Sequence, residues 1–135
     1  MITKSALTEA DVTTLIAGAK SEAQKNSWAV SIAVMDDGGH LLGFLRLDGA
    51  AVFSASVAVE KAKTAALGCR ESKNFEDMIN NGRYAFLSVP TMQGLLEGGV
   101  PVIHGGRVVG AIGVSGVKSN EDAQIAKAGV AALLT

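Results

Sequence analysis

The chain is poor in several residue types on which common functions depend. Cys69 is the one cysteine among 135 residues, which excludes an internal disulfide and a zinc site built on cysteines. Aromatic residues are also few: Trp28, Phe44, Phe53, Phe75, Tyr84 and Phe86. No apolar run reaches the roughly 20 residues of a membrane span. Neither sign of charge dominates, since 12 basic and 13 acidic residues leave a net charge of −1. The basic residues are scattered, so there is no electrostatic footprint for nucleic acid and no basic amphipathic stretch for a membrane surface. Met1-Ile2-Thr3-Lys4 lacks the apolar core of a secretion signal, and the expected location is cytoplasmic.

What is present is aliphatic. Hydrophobic residues make up 48% of the chain, carried by Ala, Val, Leu and Ile. The length fits one domain over residues 1–135, burying roughly two-thirds of the unfolded surface. A small chain this apolar hides surface against copies of itself, so a homo-oligomer is expected.

Thr8 followed by Asp11 predicts a capping box, and Val12, Leu15, Ile16, Ala19 and Ala23 form one stripe of the helix it opens. Residues 29–36 and 40–47 read as strands joined through Asp37-Gly38-Gly39. On the second, His40, Leu42, Phe44 and Arg46 should share a face opposite Leu41, Gly43, Leu45 and Leu47. Residues 50–68 predict an Ala- and Ser-rich helix ending at Gly68, and Ser72 a cap for a shorter one through Ile79. Between 83 and 99 the pattern is broken, with room for a short strand around Leu95.

A second hairpin follows: Val100 to His104, a Gly105-Gly106 turn, and Arg107 to Ser115. On its long strand Val108, Gly110, Ile112 and Val114 should oppose Val109, Ala111, Gly113 and Ser115. Ser119 with Asp122 predicts the cap of a last helix with the stripe Ile125, Ala128, Gly129, Ala132 and Leu133. Hairpins in place of strand–helix–strand crossovers argue for an α+β fold. A central antiparallel sheet would be flanked by N- and C-terminal helices and a mid-chain helix pair.

Few groups offer chemistry. His40 and His104 each stand beside a Gly-Gly turn, where histidine can ligate haem iron or move protons. The plainer reading is an exposed hairpin residue; it is preferred for His40, and both readings stay open for His104 beside its glycines. Arg46 could hold a carboxylate bidentately, or pair with Asp48 and shape the turn. Lys61 and Thr64 share a helix face, which either looks into a cleft as an anion site or outward to solvent or a subunit contact. Gly98-Gly99 offers close backbone approach. Ser115-Gly116 lacks the flanks of a nucleophile elbow. Gly110 and Gly113 lie inside a strand and suit helix packing better than phosphate binding. Cys69 beside Arg70 has either a lowered pKa or, the preferred reading, a small buried side chain.

Taken in order, several stretches resemble one family. They are Val30-Ser31-Ile32-Ala33-Val34 with Asp36 and Gly38-Gly39-His40-Leu41, Arg46-Leu47-Asp48-Gly49-Ala50, Lys61-Ala62-Lys63-Thr64-Ala65-Ala66, Gly98-Gly99-Val100-Pro101-Val102, and Gly110-Ala111-Ile112-Gly113-Val114-Ser115-Gly116 before Glu121-Asp122. The chain resembles the GlcG/HbpS-like proteins over nearly its whole length. That resemblance implies a profilin-like fold and dimers that build higher oligomers, up to an octamer. Some members bind haem and a secreted one degrades it, while others are encoded with glycolate or small-alcohol catabolism genes.

Three functions follow as expectations. The first is a small haem-binding protein with weak haem degradation, His104 or His40 ligating the iron and Arg46 or Lys61 meeting the propionates. Another is an accessory binding protein or enzyme for a small organic acid held by Arg46 and Lys61. The last is a structural oligomer without a small ligand. No metal site is expected.

Overall fold

A computed structural model describes residues 1–134. Helix α1 (Glu9–Lys25) is followed by strands β1 (Ser31–Asp36) and β2 (Leu41–Arg46), then helices α2 (Ser54–Gly68) and α3 (Ser72–Asn80). A short 3-10 helix (Tyr84–Ser88) leads to β3 (Gly99–His104), β4 (Arg107–Ser115) and α4 (Ser119–Leu134). The four strands form one sheet in the order β2-β1-β4-β3, antiparallel throughout. The α+β fold read from the hairpin pattern is the one observed. No helix among the described residues is long and apolar enough to cross a membrane.

The capping box at Thr8 is present: Asp11 N–H donates to Thr8 Oγ1 at 3.2 Å, and Thr8 N–H to Asp11 Oδ2 at 2.8 Å. Val12, Leu15, Ala19 and Ala23 then line the buried face of α1. They meet Ile125 and Ala126 of α4 and Ile32, Val34, Ile112 and Val114 of the sheet. The opposite sheet face carries Ala33, Met35 and Ala111 against Ala58, Ala62, Ala65 and Ala66 of α2. The sheet is therefore sandwiched between α1 with α4 on one side and α2 on the other. Phe75, Met92 and Leu95 form a smaller core beneath residues 83–98.

Both hairpins close on the glycines that announce them. Asp36 Oδ1 accepts from Gly38 N–H and His40 N–H, both at 2.9 Å, and Gly39 takes φ +78°. Gly105 and Gly106 have φ +57° and +75°, the pair of positive values that a two-residue primed turn requires.

Several expectations fail, each for a local reason. A bulge pairs Val34 with Gly43 but Met35 with Leu41, so Leu42 is the extra residue. Leu41 and Phe44, expected on opposite faces, therefore both border Ala55 and Val59 of α2. A second bulge pairs Val102 with Gly110 and Ile103 with Val108. It turns Val109, at 6% exposure, into the core of the α1 and α4 side. Each bulge reverses face parity on one strand only, which alternation alone does not reveal.

No strand forms around Leu95, which packs under α3 instead. Helix α2 ends at Gly68, but it is Cys69, exposed and at φ +56°, that adopts the left-handed turn. Glu71, not Ser72, occupies the N-cap of α3. The Ser72 hydroxyl donates to the Leu96 carbonyl and accepts from Gly99 N–H, so it ties the irregular segment down.

The closeness of α2 to the sheet depends on missing side chains. A Cβ on Gly113 would collide with Ala58 O and Ala62 N, and one on Gly99 with Lys61 O. Strand propensity alone predicts that Gly113→Ala stabilises by about 0.5–1 kcal/mol. Packing predicts the opposite sign, a loss of about 1–3 kcal/mol as α2 is pushed away. Urea denaturation should show the loss, and a variant as stable as the parent contradicts the packing account.

Candidate functional site

The sequence candidates fall into three separate places. Lys61 and Thr64 do share a face of α2, and that face is buried. Lys61 Nζ donates to the Val114 carbonyl and to Asp122 Oδ2, each at 3.0 Å, with both side chains at 3% exposure or less. Asp122 Oδ1 accepts from Val117 N–H at 3.1 Å. The acid expected to cap α4 alongside Ser119 is instead the partner of Lys61. Gly98, at φ +134°, leaves room for that ammonium, since a Cβ would lie 2.8 Å from Nζ. Burial pushes the Asp122 carboxyl above its ordinary value, and Lys61 pulls it back. Neither alternative read from the sequence describes Lys61, because its charge is held inside the protein by a carboxylate. Thr64 Oγ1 is buried with no hydrogen-bond partner among the described residues.

The two histidines lie at the hairpin end of the sheet, on opposite edges. His40 is fixed by the turn, its Nδ1 3.3 Å from Asp36 Oδ1, and its side chain is 81% exposed. His104, the last residue of β3, lines a cavity of about 300 Å3 with Leu7, Val102, Val109, Leu133 and Leu134. Asp11 is on the same wall and feels the imidazole electrostatically. Three strand spacings separate β2 from β3, about 14 Å, so His40 and His104 of one chain stand apart on opposite edges of the sheet.

Arg46 stands at the other end. It pairs with Ser31, which in turn pairs with Ser115, whereas His104 pairs with Arg107 at the start of β4. The length of β4 between these positions is about 26 Å. Arg46 and His104 therefore cannot serve one small ligand within a chain. Nor does Arg46 pair with Asp48: no ion pair joins them among the described residues. It borders a cleft of about 520 Å3 with Lys20, Trp28 and Asp48.

Sequence reasoning missed Asp11 beside His104 and Trp28 beside Arg46. Asp11 was recognisable as a cap but not as a neighbour 93 positions from His104, a contact made by the docking of the N-terminal segment on β4, where Leu7 lies against Gly110. No group of three or more His, Cys, Asp and Glu able to hold a metal ion occurs among the described residues.

With this geometry in view, likeness to known proteins is informative. A family profile described as "Haem degrading protein HbpS-like" matches residues 7–131. Protein GlcG of Escherichia coli strain K12 is 53% identical over 115 residues, 85% of each chain. A crystal structure of Streptomyces reticuli HbpS, a double mutant, superposes with a TM-score of 0.89 at 32% identity, covering 97% of this chain and 89% of that one. A crystallised PduOC–haem complex gives a TM-score of 0.86 at 27% identity, covering 95% of each.

The buried pair predicts strong coupling. Lys61→Met leaves the Asp122 carboxylate unpaired in the interior and should cost about 3–5 kcal/mol, while adding Asp122→Leu should recover most of the loss. A double-mutant cycle by chemical denaturation measures this, and additive losses contradict it.

Asp11 gives a pH test. Hydrogen bonds from the Thr8 backbone and side chain hold its carboxyl below the ordinary value of 3.8. The unfolded chain then binds the proton more tightly, so the stabilisation is complete above pH 3.8 and is lost as pH falls through the lower native value. Asp11→Asn should lower the melting temperature at neutral pH, and the difference should close in acid. A gap that persists at low pH contradicts this.

Proposed function

The chain belongs to the HbpS-like family, and from that premise we propose that it is a small haem-binding protein in which His104 would hold the iron. The observation that carries this reading is the contrast between the two histidines. His104, itself exposed, borders a cavity lined mainly by Leu7, Val102, Val109, Leu133 and Leu134, with Ser5 and Asp11 on its wall. His40 stands out in solvent beside Asp36.

An imidazole at the rim of an aliphatic cavity fits haem, which needs an iron ligand and an apolar slot. Its volume of about 300 Å3 is at the small end for ligand sites and covers part of a macrocycle. The remaining surface would come from a second copy. Exposed Leu41, Phe44 and Val52 supply apolar surface for such an assembly. Arg107, opposite His104 in register, is the cation available to a propionate at this end. Asp11, on the wall of the same cavity, places a carboxylate near the imidazole.

Bound iron-porphyrin would supply redox chemistry towards oxygen, and this is the basis for a weak haem-degrading activity. The protein's own part is to hold the ring, fix the ligand and limit water on the aliphatic side. The PduOC–haem complex, with the same fold, supports the haem reading. A cytoplasmic setting completes the proposal.

Titration of the purified protein with haemin should give a saturable Soret shift that His104→Ala abolishes and His40→Ala leaves intact. A shift that survives His104→Ala, or none in the parent protein, overturns the assignment.

A further inference from the structure

The end of the sheet remote from His104 carries a second set of groups that nothing in the haem reading uses. Helix α1 stops at Lys25, Ser27 turns left-handed at φ +58°, and Trp28 N–H donates back to Ala23 O at 2.9 Å. This reversal lays the indole against the core, half-buried, with one side on the cleft of about 520 Å3. Across the cleft, β2 delivers Arg46, its backbone held in register opposite Ser31. Lys20 comes from the last turns of α1, and Asp48 from the bend after β2.

Four features make this more than a surface depression. Lys20 and Arg46 have no ion-pair partner among the described residues, although Asp48 is only two positions from Arg46. The carbonyls of Ala23 and Gln24 at the helix end are occupied by the N–H groups of Asn26, Ser27 and Trp28, so they do not satisfy the cations. Trp28 is the only tryptophan in the chain, and its indole is a rigid apolar wall of the kind on which planar groups stack. Asp48 contributes an acceptor that suits a ligand hydroxyl and repels a second anionic group.

We propose that the Trp28–Arg46–Lys20 cleft binds an aromatic monocarboxylate bearing a hydroxyl group. The carboxylate lies on the Arg46 fork with Lys20 beside it, which matches the bidentate geometry of guanidinium with carboxylate. The ring rests on Trp28, and the hydroxyl donates to Asp48. The site is distinct from the His104 cavity by about the length of β4, so it does not depend on haem binding.

Because Trp28 is the sole indole, its fluorescence reports on this cleft alone. Mandelate should give a saturable change at millimolar concentration. Arg46→Gln should weaken binding about tenfold or more, the loss expected for a charge-assisted hydrogen bond. Asp48→Asn should weaken mandelate relative to benzoate, which has no hydroxyl to donate. Arg46 is exposed and outside the core, so circular dichroism of the variant should match the parent. The proposal is overturned if neither mandelate nor benzoate saturates the signal, if Arg46→Gln binds as tightly as the parent, or if inorganic phosphate binds as well as mandelate. Loss of the haemin Soret shift in Arg46→Gln also overturns it, because the cleft would then belong to the haem.

Discussion

The contact on which the rest depends is the buried pair of Lys61 and Asp122. The two residues come from helices on opposite sides of the sheet, and their side chains meet at the Val114 carbonyl near the end of β4. Asp122 also holds Val117 N–H, so one carboxylate fixes helix α2, the end of β4 and the approach to α4. Breaking one partner of such a pair strands a charge in the interior. The arrangement selects its neighbours: Gly98 is small because the ammonium lies under it, and Gly99 because α2 passes against it.

That clamp gives Lys61 a structural task in the interior, and the proposed sites lie at the two ends of the sheet. Alanines on α2 and glycines on the sheet bring two backbones together at Gly99 and Gly113. The hairpin end presents His104 above an aliphatic cavity, and the opposite end presents Arg46 with Trp28. Family membership is carried by the shared scaffold, and fold alone does not decide what a member binds.

Much of the scaffold was legible in the chain itself. Thr8 with Asp11, the Gly38-Gly39 and Gly105-Gly106 turns and the aliphatic stripes act over a few residues, so their chemistry can be read locally. What escaped was non-local. The bulges at Leu42 and Val109 shift register between strands, and nothing in either strand's own pattern marks them. Ser72 and Asp122 are residues that commonly cap helices, but tertiary partners at Leu96, Gly99 and Lys61 claimed them. The candidate site residues were individually visible. Their division into an interior clamp and two remote ends was not, because that depends on strand order and on the direction in which each hairpin runs.

The separation of functions between the two ends is open to one direct measurement. Haemin carries paramagnetic ferric iron, which broadens nearby amide resonances in an NMR spectrum. The account predicts broadening around Leu7, Val102, His104 and Val109, with Trp28, Arg46 and the Lys61–Asp122 contact unaffected. Broadening centred on Trp28 and Arg46, or spread across the whole sheet, would contradict it.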